Sequence, residues 1–220
     1  RLWDWRVYAE AKDLAQARPF FDALNVRYYF DRASDQGVMG RTLKLVRPAD
    51  LDVYESPTVW PRAFFTDRVD SYTQLGELIG KIRAADGHPF VAIEQADHPA
   101  QAALAKVARG PGAPTTTPAT NYRLTENTTS FTVRATGPGA IFLSAAYWPD
   151  DFRAEVNGRD APVVRLNHAF KGVIVDAAGE YRVSFRYWPR QFTRHLTFSA
   201  LGALLLGASV WLALRPARSA

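Results

Sequence analysis

The stretch Tyr147-Trp148-Pro149-Asp150-Asp151 sets two flat aromatic rings beside two carboxylates. Tyrosine and tryptophan faces stack on sugar rings, and carboxylate oxygens accept from hydroxyls, so this combination suits a carbohydrate ligand. The same residues at a strand end also serve packing between sheets, and composition leaves both roles open. Asn167 is a further candidate polar contact for such a ligand.

Other chemistry-bearing groups are sparser. Asp50-Leu51-Asp52 resembles the paired aspartates that grip a divalent cation, but it also fits a turn leading into a strand, and no metal site is expected. Glu94, Asp97 and His98 could form an acid–base group, although Asp97 is better explained as a helix N-cap. His88, His168 and His195 have no partner at ligand spacing. The phosphate loop, the His-Glu-x-x-His helix and the Gly-x-Ser-x-Gly elbow are missing, so no catalytic residue and no cofactor is assigned. A hydrolase is disfavoured because no well-placed carboxylate pair stands out. Asn127-Thr128-Thr129 is formally a glycosylation acceptor.

The chain has 220 residues, no cysteine, 47% hydrophobic residues and 22% charged ones, which is the composition of a folded protein. Disulfides, thiolate nucleophiles and zinc ribbons are excluded. The net charge of +5 comes from arginines scattered along strands, so no nucleic-acid partner is expected. No signal peptide opens the sequence, and a fragment of a longer protein is expected.

Leu196 to Leu214 is an uncharged run of nineteen residues. At about 1.5 Å per helical residue it covers roughly 28 Å, near the hydrocarbon thickness of a bilayer. Trp188, Phe192, Phe198 and Trp211 supply rings near its ends, and Arg194, His195, Arg215 and Arg218 flank it. A transmembrane helix over 195–215 is predicted. Ser199, Ala203 and Gly207 form a small-residue stripe that suits either a neighbouring helix or lipid. Arginine counting favours a cytoplasmic N-terminal flank. Arg182, Arg186, Arg190 and Arg194 belong to a strand-bearing domain, however, and folded domains translocate largely regardless of charge. The expected location is the bacterial inner membrane, with the globular part periplasmic or extracellular.

The elements that must position these residues divide at a Pro-, Gly- and Thr-rich linker over 110–120. Before it, over 1–109, helices and strands alternate. Pro19 suits the first turn of a short helix with Phe20, Phe21 and Leu24 on one face, followed by a strand from Val26 to Phe30. Ser71 is a cap for a helix bearing Leu75, Leu78, Ile79 and Ile82, and a turn at Asp86-Gly87 leads to a strand from Phe90 to Ile93. A further helix should start at Asp97 and carry Ala100, Ala103, Leu104 and Val107 on one side. After the linker the period becomes two, as in Phe131/Val133/Ala135, Phe152/Ala154/Val156 and Tyr181/Val183/Phe185/Tyr187. Asn157-Gly158 marks a tight hairpin. About seven antiparallel strands over 121–190 predict a jelly-roll-like β-sandwich. The fold class is therefore α+β: a mixed α/β subdomain, an antiparallel sandwich and a membrane helix.

The series Leu143-Ser-Ala-Ala-Tyr-Trp-Pro149, Phe152-Arg-Ala-Glu-Val-Asn-Gly158, Asn167-His-Ala-Phe-Lys-Gly-Val-Ile-Val175 and Ala178-Gly-Glu-Tyr-Arg-Val-Ser-Phe-Arg-Tyr-Trp-Pro189 resembles the C-terminal region of the bacterial YfhO family and related multi-pass membrane glycosyltransferases. Leu24-Asn-Val-Arg-Tyr28, Val53-Tyr-Glu-Ser56 and Pro61-Arg-Ala-Phe64 extend the likeness upstream. The resemblance implies a long parent protein with many helices, a polyprenyl-phosphate sugar donor, and a glycan or glycolipid acceptor on the outer side. Its catalytic carboxylate would lie in an early loop outside this chain. Two departures are visible: Asp150-Asp151-Phe152 stands where glycine-tryptophan is usual, and Asn157 replaces the hairpin aspartate.

Overall fold

The computed structural model describes residues 13–32, 39–97 and 114–214. Helix α1 (Leu14–Ala23) is capped by Asp13, whose carboxylate accepts from the Gln16 amide at 2.9 Å. Pro19 lies inside α1 rather than in its first turn as the sequence suggested. Proline removes one backbone bond there, and burial of Phe20 and Ala23 offsets that loss. Strand β1 (Tyr28–Arg32) follows, starting later than the expected Val26. It forms a small antiparallel sheet with β2 (Lys44–Arg47) and β3 (Leu51–Glu55), in the order β1-β3-β2.

Strands β4 (Ala63–Thr66) and β5 (Val69–Tyr72) come next, then helix α2 (Leu75–Arg83) and β6 (Val91–Glu94). β5 and β6 pair in parallel, as a helical crossover permits. Ser71 is not the cap of α2, because it is a rung of β5. Gln74 holds the cap position without a side-chain bond, and the Glu77 carboxylate accepts from the Thr73 amide at 2.9 Å instead. The helix expected from Asp97 to Val107 lies, apart from Asp97 itself, outside the described residues. Asp97 forms an ion pair with Arg165 at 3.5 Å.

The remaining strands are β7 (Thr116–Pro118), β8 (Thr120–Leu124), β9 (Thr128–Ala135), β10 (Gly139–Ala146), β11 (Phe152–Val156), β12 (Arg159–Ala161), β13 (Val164–Leu166), β14 (Phe170–Val175) and β15 (Gly179–Tyr187). They build two five-stranded antiparallel sheets, β13-β14-β10-β4-β7 and β12-β11-β15-β9-β8. The β11–β12 hairpin closes on Asn157 and Gly158, both at positive φ, as the Asn-Gly pair predicts.

The first of these sheets crosses the boundary expected at 110–120. β4, from the N-terminal segment, lies between β10 and β7, with Phe65 opposite both Ile141 and Thr117. Part of the expected linker is thus strand β7. The reason is burial on both faces. Ala63, Phe65, Ile141, Leu143, Val173 and Val175 meet Phe131, Val133 and Phe185 of the second sheet. On the opposite side Phe64, Phe142 and Phe170 pack with Trp60, Phe90 and the apolar faces of α1, α2, β5 and β6. The order is sheet, sheet, then a mixed helical layer, so β4 and β10 are buried on both sides. At Gly172, in central β14, a Cβ would collide with the Ile141 carbonyl and the Leu166 side chain, so only glycine fits.

Helix α3 (Phe192–Ala213) follows β15 after a short turn. It begins ahead of the expected residue 195. Over Phe192–Leu212 its mean hydropathy is 1.6 with none of the span buried, so it is long and apolar enough to cross a membrane and compatible with anchoring there.

Candidate functional site

Strand β10 ends in an irregular register between Leu143 and Ala146, and the chain then turns sharply. The Tyr147 amide donates to the Ala169 carbonyl at 2.8 Å, and the Asp151 amide reaches back to the Trp148 carbonyl at 3.3 Å. Asp150 occupies the left-handed region at φ 63°, which aspartate tolerates better than most residues. This corner presents Tyr147, Trp148 and Asp150 into one cleft of about 490 Å³, shared with Phe152, Arg153 and Asp160. Trp148 is 56% exposed. Three of the five residues expected to contact a ligand are therefore brought together.

The other two are placed differently. The Asp151 carbonyl accepts from the Trp188 amide at 2.7 Å, and its carboxylate accepts from the Arg190 amide at 3.0 Å. Asp150 also ion-pairs with Arg190 at 3.3 Å. The corner thus fastens the chain that leads from β15 into α3. Asn167 is corrected outright: it is fully buried in the β13–β14 loop at φ 46°. Its side-chain oxygen accepts from the Ala92 amide at 2.5 Å, its side-chain nitrogen donates to the Phe90 carbonyl at 3.1 Å, and its backbone amide donates to Ala92 at 2.8 Å. Those bonds tie the hairpin to β6 and leave the side chain inaccessible to a glycan.

Lys171 was not legible as a site residue. It lies on β14 at 3% exposure, donates to the Ala146 carbonyl at 3.1 Å, and sits 3.3 Å from the centre of the Phe152 ring. Burial pushes its amine down to about 8, with the nearby Arg62 charge adding to the shift. The one sequence signal was a charge inside the otherwise apolar strand Phe170–Val175.

Trp188 marks the exit toward α3. Its ring meets Phe192 edge-on at 5.2 Å, and its indole N–H donates to the Thr193 hydroxyl at 3.4 Å. The guanidinium groups of Arg186 and Arg153 lie 5.0 and 5.7 Å from its ring centre.

The other sequence candidates do not converge. Asp52 is buried, with the Ala49 amide at 3.2 Å and the Tyr54 hydroxyl at 3.5 Å, whereas Asp50 is exposed on the preceding turn. Glu94 ion-pairs with Arg165 at 2.5 Å, and His98 lies outside the described residues. Among the described residues no cluster of three His, Asp or Glu could hold a metal ion. A second hollow, of about 590 Å³, includes Tyr122, Asn157 and Arg182, but Asn157 is bonded there to the Arg182 amide at 2.8 Å. Ser199, Ala203 and Gly207 are all exposed along α3, and a Cβ at Gly207 would meet nothing within 4 Å.

Compared with known protein families, curated proteins and solved structures, the chain matches none.

Proposed function

We propose that this chain is the extracytoplasmic C-terminal portion of a multi-pass bacterial membrane protein. In this reading α3 spans the inner membrane and the cleft at Tyr147, Trp148 and Asp150 binds a glycan or glycolipid during cell-envelope glycan assembly. The observation that supports this best is the position of the cleft. Its corner is bonded directly to residues 188–190, immediately before α3, so a ligand seated there lies close to the bilayer surface. The exposed Trp148 ring offers a stacking face, and Asp150 and Asp160 offer acceptors for sugar hydroxyls. The resemblance to lipid-linked-sugar glycosyltransferases gives the domain an acceptor-side role, with donor chemistry elsewhere in the parent protein.

The experiment is retention of the detergent-solubilised chain on immobilised envelope polysaccharide. Trp148→Ala should reduce retention about ten-fold, the loss of one stacked ring at roughly 1–1.5 kcal/mol, with the circular dichroism spectrum unchanged. Equal retention of the two proteins would remove the glycan reading. The second reading, a non-catalytic membrane-tethered scaffold, is favoured by the bonds from Asp150 and Asp151 to Arg190 and would then stand.

A further inference from the structure

Arg153 on β11 and Arg186 on β15 are direct cross-strand partners, which sets two cations opposite each other on one rung. Like charges so placed destabilise a sheet, so the pairing calls for a compensating anion. Among the described residues neither guanidinium has a carboxylate within ion-pair distance; each is instead held against Trp188. Both lie 5.0–5.7 Å from the ring centre, and an aromatic ring takes up none of the five N–H donors of a guanidinium fork as a carboxylate would. Both side chains are exposed, while Trp188 is half-buried between them and Phe192, the first residue of α3. Arg190 and Arg194 follow closely in sequence, and Asp150 neutralises the former.

From this juxtaposition we infer that Arg153 and Arg186, braced on Trp188, form a clamp for the phosphate diester of an anionic membrane phospholipid. Two forks at the mouth of an apolar helix meet a phosphate at the height where headgroups lie, and Arg–phosphate pairing is bidentate and charge-assisted. The occupant is set by charge complementarity and by continuity with the membrane helix. The inference rests on the bilayer insertion of α3 proposed above, but not on glycan binding.

The test places the full chain in nanodiscs of equal parts phosphatidylcholine and phosphatidylglycerol, and compares motional restriction of spin-labelled versions of each lipid. The wild-type chain should restrict phosphatidylglycerol at least about five-fold more strongly than phosphatidylcholine, the selectivity of a single arginine contact at the surface and so the least that two should give. Arg186→Gln, which leaves the lining of the glycan cleft intact, should remove most of that preference. Arg134→Gln, at the opposite end of the same sheet, should retain it. Equal restriction of both lipids by the wild-type chain, or undiminished preference in the Arg153→Gln/Arg186→Gln double variant, overturns the proposal. Abolition of the preference by millimolar inorganic phosphate at constant ionic strength would assign the clamp to a soluble phosphate and overturn the lipid assignment. A chain that elutes apart from the discs refutes membrane insertion itself.

Discussion

Lys171 shows how one side chain's surroundings become a property of the whole domain. Its amine is held near 8 in the folded chain against about 10.5 when unfolded. Below pH 8 both states carry the proton, and the folded state bears the full cost of a buried cation. Between pH 8 and 10 the unfolded chain binds more protons, so stability rises with pH. Above pH 10 the Tyr29 and Tyr122 hydroxyls, both pushed up to about 12 mainly by desolvation, reverse the trend, because the unfolded chain then releases protons that the folded one keeps. Thermal melts in detergent from pH 7 to 10 should record a gain on the order of 2 kcal/mol. Lys171→Met should abolish the rise and be the more stable protein at pH 7. A flat wild-type profile, or a rise that survives the substitution, would place the ammonium in water. In the sequence this lysine was visible only as an anomaly, since its cover, Phe152, comes from another sheet. Trp148 stands exposed in its cleft, at a position where the sequence left ligand stacking and inter-sheet packing both open. Asn167 misled because its partners, Phe90 and Ala92, are remote in sequence.

At the scale of elements, alternation was legible wherever a sheet has water on one side. β9 and β15 bury Phe131, Val133, Val183 and Phe185 and turn Arg134 and Arg186 outward, so their period of two survives in the sequence. β4 and β10 carry no such record, because they have protein on both faces and read as plain apolar runs. That is also why β4 was assigned to the N-terminal segment: its partners are set by pairing with Leu143 and Pro118, which no local pattern specifies. The hairpin of β13 and β14 gives the element-scale prediction. Asn167→Ala leaves the buried Ala92 amide and Phe90 carbonyl without their partners and should cost roughly 2–4 kcal/mol. Hydrogen exchange should then show the Ala92 amide losing protection before the β9–β15 ladder does. Unchanged protection at Ala92 would mean that the asparagine does not hold the hairpin to β6.

For the whole molecule, the account depends on the β-rich body standing outside the membrane on a helix fixed to its corner. The α+β class and the C-terminal helix were legible from composition and period, because apolar length is a local property. The way the layers share one central sheet was not, because it depends on contacts between distant segments. The absence of cysteine makes the arrangement directly measurable. Single cysteines are placed at Thr125, exposed on the β8–β9 turn, and at Leu205, within α3, and intact cells are treated with a membrane-impermeant maleimide. The account predicts that Thr125→Cys is labelled in intact cells, that Leu205→Cys is labelled only after denaturation, and that both proteins stay with the membrane through carbonate washing. Labelling of Leu205→Cys without denaturation, together with release of the chain by carbonate, would contradict it.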